Sequence, residues 1–340
     1  MKLKVSIIIL NYNGLDFLKK CIQTVKKQTY SNIEIIVTDN ASTDGSIEWV
    51  KKESGKLRME NKKMALKIVK HKNNLGYAGA NNSAAKKASG EFLFFLNNDT
   101  ELFPDCIEKI VSSFKEKSIV TARQIPTLDK KFIGSSGAGA DIFGYPYVDP
   151  DPTKTRVFYA DGAMFFTKKK DFIDLGMFDE KLFIFQEDID LSWRARLYGY
   201  SIISCWEAKL YHYGGGTVLG GTKKGSRYAS SYLRRYLNEK NIIRNILKNY
   251  SALMCIIILP LLLIIHVVEM ISLLFLLQGR VINCYIKAYW WNIKNIRNTL
   301  QLRSHIQDKR TVSDSKIIKQ MYWRYSKLAS LKSVGVPDFK

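Results

Sequence analysis

Four short apolar runs, each followed at once by polar residues, constrain the fold of this chain more than any other feature. The runs are Val5–Leu10, Ile33–Thr38, Ala65–Val69 and Glu91–Leu96. The segments between and after them have helical spacing or helix start signals, at Leu15–Lys27, Ser42–Val50, Ala78–Ala88 and from Pro104 onward. Continuous apolar runs of this length indicate buried strands, and their alternation with helices predicts a parallel sheet covered by helices on both faces.

The polar residues that follow each run are the second constraint. The clusters are Asn11-Tyr12-Asn13, Asp39-Asn40, His71 to Asn74 and Asn97-Asn98-Asp99. Ligands of such sheets bind beyond the carboxyl ends of the strands, so we expect these clusters to line one binding rim. The first cluster is neither a GxGxxG nor a Walker A sequence, which excludes a dinucleotide or ATPase site of the usual kind.

The net charge of +22 in 340 residues is concentrated in the last third of the chain. Residues 223–248 carry a net +7 and residues 280–340 a net +10, whereas the apolar segment between them holds one charged residue, Glu269. A nucleic-acid binder would explain the charge alone. The cations, however, flank an apolar run and not a groove studded with aromatic residues, so we do not expect a nucleic-acid partner.

The apolar run from Ala252 to Gln278 is long enough to cross a bilayer as a helix. Pro260 interrupts it, His266 and Glu269 are costly at mid-membrane, and both flanks are basic. A re-entrant or interfacial hairpin accommodates these features, a single span is the second possibility, and a helix pair buried in a soluble core is the third. The cationic flanks favour an anionic membrane as partner.

These patterns divide the chain into four segments. We predict an α/β domain at 1–222, a basic helical connector at 223–250, a hydrophobic membrane segment at 251–278 and a basic helical tail at 279–340. The five scattered cysteines include no CxxC pair, which favours a reducing compartment. The basic flanks favour the cytoplasmic face of the membrane by the positive-inside rule, with residues 252–278 as the attachment.

Five motifs resemble, in order and spacing, those of family-2 glycosyltransferases of the GT-A fold. They are VSIIILNYNG, IIVTDNASTDGS, NNLGYAGANNSA, FLFFLNNDT and FQEDIDLSWRARLYGY, which together cover about Val5 to Thr217. The resemblance implies that residues 1–222 form a GT-A catalytic domain with a Rossmann-like, mixed and mainly parallel sheet. Within the family, the motifs look most like those of rhamnosyltransferases and galactofuranosyltransferase-like enzymes that extend lipid-linked or cell-surface glycans.

The resemblance implies a donor site for a sugar nucleotide at the predicted rim. Asp39 ends the second strand, where its carboxylate would accept a hydrogen bond from the pyrimidine base or the ribose. Gly76 would let the backbone approach the nucleotide closely. The other donor-binding residues implied by the resemblance are Asn11, Asn13, Asn81 and Asn98.

Asn97-Asn98-Asp99 stands where the family has its DxD motif, and it departs from that motif because Asn97 replaces the first carboxylate. Asp99 would then be the carboxylate that holds Mn²⁺ or Mg²⁺ against the donor diphosphate. In similar enzymes a histidine joins the metal, and the resemblance implies His212 for that role.

The densest acidic cluster, Glu187 to Asp190, opens a predicted helix over Asp188–Tyr198. The resemblance places the catalytic base of an inverting transfer at Asp188. Neighbouring acids would raise the pKa of Asp188, and Arg194 on the next turn would lower it. The residues predicted to line the acceptor and sugar pocket are Asp161, Gly162, Glu187 and Arg194.

The resulting hypothesis is a metal-dependent inverting glycosyltransferase. It would move rhamnose from dTDP-rhamnose, or a hexose from a UDP-sugar, onto a hydroxyl of a lipid-linked or cell-surface glycan. Two other classes remain open. A catalytically silent membrane-bound scaffold would keep the fold without the metal. A sugar-nucleotide pyrophosphorylase would show a basic glycine-rich loop after the first strand, and this sequence has NYNG there.

Overall fold

The structure, a computed structural model, describes most of the chain. The described residues are 2–59, 64–126, 135–147, 157–214, 223–224, 227–334 and 338–339. The glycine-rich turn after His212 and the domain boundary at residue 222 lie in part or wholly outside these ranges.

The strands follow the predicted order along the first hundred residues and continue beyond it. They are β1 Val5–Asn11, β2 Ile33–Asp39, β3 Ala65–Lys70, β4 Phe92–Asn97, β5 Thr100–Leu102, β6 Ser118–Pro126, β7 Gly139–Ala140, β8 Pro146–Tyr147, β9 Met164–Lys168, β10 Ser201–His212, β11 Lys223–Lys224, β12 Arg227–Ser230 and β13 Asp338–Phe339. Within the described residues, eight of them form the main sheet in the order β3-β2-β1-β4-β9-β6-β10-β5. Strands β3, β2, β1 and β4 are parallel, β9 is antiparallel to its two neighbours, and β5 is antiparallel to β10. The sheet is mixed and mainly parallel, which confirms the predicted fold class.

The helices lie between the strands and then dominate the last third of the chain. They are α1 Leu15–Lys26, α2 Ser46–Met59, α3 Gly76–Lys87, α4 Cys106–Ser113, α5 Lys169–Asp174, α6 Glu187–Leu197, α7 Tyr232–Asn249, α8 Ala252–Phe275, α9 Gly279–Lys294, α10 Ile296–Asp308, α11 Asp314–Ile318 and α12 Ser326–Val334, with a 3₁₀ turn at Glu180–Leu182.

Alternation of side chains along each strand lets helices cover both faces of the sheet. On one face, Ile7 and Ile9 of β1 belong to an apolar cluster with residues of α1, α2 and α4. On the other face, Ile8 of β1 and Phe95 of β4 belong to a cluster with residues of α3, α5 and α6. All four strand side chains are fully buried, so burial on both faces explains why the strands lack polar alternation.

The second helix begins at Ser46, four residues later than predicted, because the preceding turn is used elsewhere. Ser42 Oγ accepts a hydrogen bond from the backbone N–H of Asn13 at 2.9 Å. Asp44 Oδ2 accepts one from the backbone N–H of Leu15 at 2.8 Å. Residues predicted to start the helix therefore tie the end of β2 to the loop after β1.

The segment predicted as a basic connector contains α7, whose cations are buried in ion pairs. The side chains of Arg244 and Lys248 are nearly inaccessible and lie 2.7 Å and 2.6 Å from Asp179 Oδ2. A buried cation needs such a partner because burying an unpaired charge is very costly. The helix predicted in this segment is thus packed against the α/β domain, and the division of the chain at residues 222 and 250 stays a prediction.

Candidate active site

The ends of β1, β2 and β4 are joined by buried polar side chains. Asn98 Nδ2 donates to Asn11 Oδ1 at 2.8 Å, and Asn11 Nδ2 donates to Asp39 Oδ1 at 3.2 Å. Asp39 Oδ2 accepts the backbone N–H of Ser42 at 3.0 Å. The structure thus brings together three predicted donor-site residues. Asp39 is fully buried, and its carboxylate oxygens already accept hydrogen bonds from Asn11 and Ser42. A contact between Asp39 and a nucleotide base therefore stays a prediction.

Asn13 forms the solvent-exposed side of the same corner. Its φ of 48° lies in the left-handed region, which asparagine tolerates better than most residues. Its Oδ1 accepts the backbone N–H of Thr43 at 2.8 Å. This bond holds the loop after β1 against the loop after β2, with both residues open to an incoming ligand.

Gly76 lies at the start of α3, but its lack of a side chain serves packing. Its φ is +70°, and a Cβ there would lie 2.3 Å from the carbonyl oxygen of Phe183. The backbone N–H of Ala78, two residues further along the chain, donates to that same oxygen at 3.1 Å. The absence of a side chain at Gly76 therefore admits the loop that leads to α6, and its predicted contact with a nucleotide stays a prediction.

Replacing Gly76 with alanine is expected to destabilise the fold by about 2–4 kcal/mol. The lower part of the range comes from left-handed strain of about 1–2 kcal/mol, and overpacking against Phe183 adds about 1–2 kcal/mol, within the usual range of about 1–3 kcal/mol. The matched control is Gly45→Ala, since Gly45 has φ +83° and no atom within 4 Å of its Cβ position. The control should show the strain alone, about 1–2 kcal/mol. Urea unfolding of both variants measures the difference, and equal losses would contradict the packing role.

Asn81 is 1 % exposed on α3, and neither its Oδ1 nor its Nδ2 has a hydrogen-bond partner among the described residues. Buried amides are almost always satisfied, because an unmade hydrogen bond costs about 1–3 kcal/mol. Asn81 therefore retains hydrogen-bonding capacity, which suits the ligand contact predicted for it.

Asp99 and His212 are brought together by the pairing of β5 with β10, in which Thr100 lies opposite His212. His212 Nε2 lies 3.4 Å from Asp99 Oδ1, and His212 Nδ1 lies 3.1 Å from Gln124 Oε1. Burial alone would lower the pKa of His212, but its hydrogen bond to Asp99 and the charge of Asp99 outweigh burial and raise it.

These side chains fit a divalent cation by their chemistry. An N–H at Nδ1 donating to Gln124 leaves the lone pair of His212 on Nε2, the atom that faces the Asp99 carboxylate. A carboxylate oxygen with an imidazole nitrogen suits Mn²⁺ and is compatible with Mg²⁺. Within the described residues, no group of three or more His, Cys, Asp or Glu side chains that could hold a metal is found, and Asp99 and His212 together offer two ligands.

Two hydrogen bonds join the end of β4 and helix α3 to the segment 161–163. The backbone N–H of Asn97 donates to the carbonyl of Ala163 at 3.0 Å, and Tyr77 Oη donates to the carbonyl of Gly162 at 2.6 Å. Asp161 Oδ1 accepts the backbone N–H of Ala163 at 2.9 Å and shapes this turn. The segment 161–163 therefore lies between the end of β4 and α6.

Among the described residues, two backbone N–H groups hold the carboxylate of Asp188. Its Oδ2 accepts the N–H of Gly162 at 2.9 Å, and its Oδ1 accepts the N–H of Ile189 at 2.8 Å. A Cβ at Gly162 would lie 3.3 Å from Asp188 Oδ2, so the glycine keeps this oxygen uncrowded. Gly162, predicted for the acceptor and sugar pocket, therefore lies against Asp188, and both roles stay predictions.

Burial, followed by the charge of Asp161, raises the pKa of Asp188 to about 7. The backbone N–H donors oppose this rise. Burial and the charge of Asp188 raise the pKa of Glu187 well above its usual range, and Glu187 Oε2 has no partner among the described residues. A carboxyl group with a pKa near neutrality is poised for general-base work at physiological pH.

The loop before α6 is strained, and α7 holds it. Phe183, Phe185 and Gln186 have φ of 67°, 69° and 71°, a rare conformation for non-glycine residues. Asn241 Nδ2 lies 2.9 Å from the carbonyl oxygen of Leu182 and 2.7 Å from that of Phe185. Such strain persists only where the surroundings fix it, so α7 is part of the site's scaffold.

Sequence reasoning missed this role of α7, although a signal was present. Asn241, Asn245 and Asn249 recur every four residues and lie on one side of the helix. Asn245 Nδ2 donates to the carbonyl of Gln186 at 3.1 Å, and Asn249 Nδ2 donates to Asp190 Oδ1 at 3.0 Å. Three amides on one face thus meet the loop and helix that carry Asp188.

Arg194 is committed to a structural network, which corrects its predicted place in the sugar pocket. Its guanidinium is buried, lies 2.8 Å from Asp190 Oδ2 and donates to the carbonyls of Leu175 and Met177. The cations Arg194 and Lys248 more than offset burial and lower the pKa of Asp190. Asp190 is therefore an ion-pair partner, and the charge that acts most on Asp188 comes from Asp161.

A Rossmann-like parallel half, an antiparallel β9 and an acidic pair at the start of α6 define a protein of the GT-A class. Residues 6–176 match Glycosyl transferase family 2, and the chain belongs to that family. Asp188 and His212 lie beyond the matched residues.

Two relatives illustrate this membership. An uncharacterized glycosyltransferase of Haemophilus influenzae is 30 % identical over 160 residues, which are 46 % of this chain and 48 % of that protein. The Escherichia coli UDP-Glc:alpha-D-GlcNAc-diphosphoundecaprenol beta-1,3-glucosyltransferase WfaP is 39 % identical over 97 residues, which are 28 % of this chain and 35 % of that protein. The matched region thus spans less than half the length of each relative.

Solved structures show the same fold. The crystal structure of GalNAc-T7 with UDP, GalNAc and Mn²⁺ matches with a TM-score of 0.55 and 18 % identity, over 74 % of this chain and 48 % of that one. Mannosyltransferase PcManGT from Pyrobaculum calidifontis, in complex with GDP-Man and Mn²⁺, matches with a TM-score of 0.54 and 15 % identity. That match covers 91 % of this chain and 86 % of the other.

Proposed function

We propose that the chain is a metal-dependent, inverting glycosyltransferase that uses a nucleoside-diphosphate sugar. The observation that carries the proposal is the half-buried Asp188 carboxyl, fixed by two backbone N–H groups and with a pKa of about 7. A group so placed accepts a proton from a hydroxyl at neutral pH. A scaffold without catalysis would not need a half-buried carboxylate held by two backbone N–H groups.

The reaction is a single displacement at the anomeric carbon of the sugar. Asp188 takes the proton of the acceptor hydroxyl while that oxygen forms a bond to C1. The bond from C1 to the diphosphate breaks, and its electron pair leaves with the nucleoside diphosphate. The configuration at C1 inverts, and the proton on Asp188 passes to water before the next cycle.

Asp99 and His212 would hold the divalent cation. When bound, the cation supplies positive charge against the diphosphate that leaves. Asn11 and Asn98 position the loop that carries Asp99. The residues proposed to contact the nucleotide are Asn13, Asp39 and Asn81. The proposal for Asn81 is supported by its buried amide, which has no hydrogen-bond partner among the described residues.

For the donor sugar we propose rhamnose from dTDP-rhamnose, or a hexose from a UDP-sugar. A UDP-glucose-dependent relative and neighbours crystallised with UDP or GDP-mannose support a nucleoside-diphosphate sugar. For the acceptor we propose a hydroxyl of a lipid-linked or surface glycan. The name of the relative WfaP, which includes a diphosphoundecaprenol acceptor, supports this class.

We propose the cytoplasmic face of a membrane as the place of the reaction. Apolar α8 supports the membrane, and the free cysteines at positions 21, 106, 205, 255 and 284 support a reducing compartment. Confining enzyme and lipid-linked acceptor to one surface raises the effective concentration of both.

Calorimetric titration with dTDP, UDP and GDP, each with and without Mn²⁺, tests the proposed function. We expect Mn²⁺-dependent binding of one pyrimidine diphosphate to the full-length protein. Absence of binding to all three, with folding shown by circular dichroism, would contradict a donor site and favour the scaffold.

The pH profile of the transfer reaction is expected to report Asp188. Since burial and Asp161 raise its pKa to about 7, the fraction in the basic form falls as the pH drops through 7. We expect kcat/KM to fall about tenfold per pH unit below 7 and to level off above it. Initial rates from pH 5 to 9 at saturating Mn²⁺ measure this fall, and a kcat/KM that stays constant from pH 9 down to pH 5 would exclude Asp188 as the base.

A further inference from the structure

Two polar residues of apolar helix α8, His266 and Glu269, are bound to other parts of the protein. His266 Nε2 lies 2.9 Å from Tyr145 Oη and 3.3 Å from Glu239 Oε2. Glu269 accepts hydrogen bonds from Tyr325 at 2.8 Å and from Lys327 at 2.9 Å. These partners come from a loop of the α/β domain, from α7 and from the C-terminal region, so one side of α8 is fixed to the body of the molecule.

Helix α8 buries a narrow stripe and exposes the remainder. Ile258, Leu262 and His266 are buried at a spacing of four residues. The other faces are apolar and exposed, with Ile256 at 71 % and Phe275 at 82 %. The further residues of this helix and its terminal turn that are large, apolar and exposed are Leu253, Ile257, Leu261, Leu263, Ile264, Val267, Val268, Ile271, Leu274, Leu276 and Leu277. So continuous an apolar surface indicates an interaction site.

Helix α9 adds apolar and basic groups beside α8. A groove of about 410 Å³ is lined by Leu263 of α8 and Ile293 of α9, so these two exposed side chains face the same opening. Trp290, one turn before Ile293, is 56 % exposed, and Lys294 Nζ lies 5.0 Å from its ring centroid. Aromatic and cationic side chains in such proximity are typical of the headgroup level of a bilayer.

The basic residues of α9 and α10 complement an anionic surface. Arg280, Lys287, Lys294 and Arg297 are all exposed. Near an anionic membrane each contributes about 1 kcal/mol of attraction. A second copy of this chain carries the same positive charge, so charge attraction favours an anionic membrane over a dimer as the partner of this surface.

We propose that α8 lies in the plane of an anionic bilayer, with its exposed apolar faces in the acyl chains and the cations of α9 and α10 at the headgroups. This proposal concerns the mode of attachment, and it deepens the membrane location given under the proposed function. A spanning α8 would carry Glu239 and Lys327 to bilayer depth, since both belong to the network around His266 and Glu269. Charges at that depth are costly, whereas an interfacial helix buries only its apolar side.

Vesicle cosedimentation of the full chain tests the surface. The vesicles contain equal parts of phosphatidylcholine and phosphatidylglycerol, and a second set contains phosphatidylcholine alone. The test variant is Ile264→Glu and the matched control Ile173→Glu, because both isoleucines are exposed, at 61 % and 50 %, and Ile173 lies on α5. We expect the control to bind the anionic vesicles like the wild type and Ile264→Glu to bind at least ~10-fold more weakly, from the lost apolar burial and the added charge.

Cysteine labelling distinguishes an in-plane helix from a spanning one. Arg280→Cys places an exposed thiol just beyond α8, and the wild type, whose cysteines are buried or partly buried, gives the background. With protein bound to the outside of vesicles, a membrane-impermeant maleimide should label Arg280→Cys as fully as it does after detergent lysis. Protection that lysis removes would overturn the in-plane arrangement.

Two other results would also overturn the proposal. One is equal binding of Ile264→Glu and the wild type. The other is no binding of the wild type to either vesicle, with a dimer in sedimentation that Ile264→Glu dissociates. None of these readouts depends on glycosyl transfer, so failure of the membrane proposal and failure of the enzymatic one are separable.

Discussion

Asp188→Asn is expected to lower kcat by at least ~10²-fold while leaving binding of the nucleoside diphosphate within about twofold of the wild type. An amide of nearly the same shape still accepts the N–H of Gly162 or Ile189 through its oxygen. It cannot accept the proton of the acceptor hydroxyl. The variant therefore loses the transfer step, while the proposed nucleotide-binding side of the rim, built on β1, β2 and β4, stays intact.

The measurement is single-turnover transfer, with diphosphate affinity determined by calorimetry on the same preparation. Asp174→Asn is the control, since Asp174 is a partly exposed acid that pairs with Lys170 at the surface. Glu187→Gln should cost less than Asp188→Asn, because Asp188 is the group proposed to take the acceptor proton, whereas Glu187 Oε2 has no hydrogen-bond partner among the described residues. Turnover near the wild-type value in Asp188→Asn would refute the assignment.

The same substitution should stabilise the protein at high pH. Burial raises the folded-state pKa of Asp188 to about 7, so ionisation opposes folding as the pH rises from the unfolded value of about 4 through 7. Asparagine removes that ionisation. Thermal unfolding should give a higher Tm than the wild type at pH 8 and no difference below pH 4, and a lower Tm at pH 8 would contradict the burial argument.

Asp99→Asn is expected to abolish the Mn²⁺ dependence of diphosphate binding and to lower kcat/KM by at least ~10²-fold. Asp99 is the carboxylate of the Asn97-Asn98-Asp99 segment and faces His212 across the β5–β10 pairing. Without it, the oxygen ligand that hard divalent cations prefer is missing from the protein side.

Two companion variants sharpen this test. Asn97→Asp restores a second carboxylate to the segment and should tighten Mn²⁺ binding if the segment holds the ion. Asp105→Asn removes an exposed acid, paired with Lys109, that lies outside the site and should change neither quantity. Mn²⁺ titration followed by electron paramagnetic resonance reads the affinity directly. Mn²⁺ affinity that is unchanged in Asp99→Asn would place the ion elsewhere.

The sequence predicted the first half of the sheet well because its signals are local. Buried parallel strands must be apolar along their whole length, and Val5–Leu10 and Ile33–Thr38 differ from the observed strands only by one polar residue at the end. The polar residues just past them had to meet, because parallel strands end at the same edge. Asn11 and Asp39 are therefore opposite each other in the register.

Contacts between segments that are distant in the sequence decided the surroundings of the candidate site residues. Gly76 is required by Phe183, which lies more than a hundred residues away, and Arg194 is drawn to Asp190 and to the carbonyls of Leu175 and Met177. The charge that acts most on Asp188 comes from Asp161, which the turn before β9 brings close. Helical spacing and composition carry no record of these partners.

For this protein, the sequence by itself determined the class of fold, the polar rim and the identity of the acidic pair, since each follows from hydrophobic pattern or motif order within short segments. Tertiary structure alone decided which of those polar groups are held in ion pairs and which keep free capacity for a proton or a hydrogen bond. It brought α7 against the strained loop of Phe183 to Gln186 and bound His266 and Glu269 of α8 to the body of the molecule. Burial and charge pairing set the properties of a side chain, and both depend on neighbours that only the folded chain supplies.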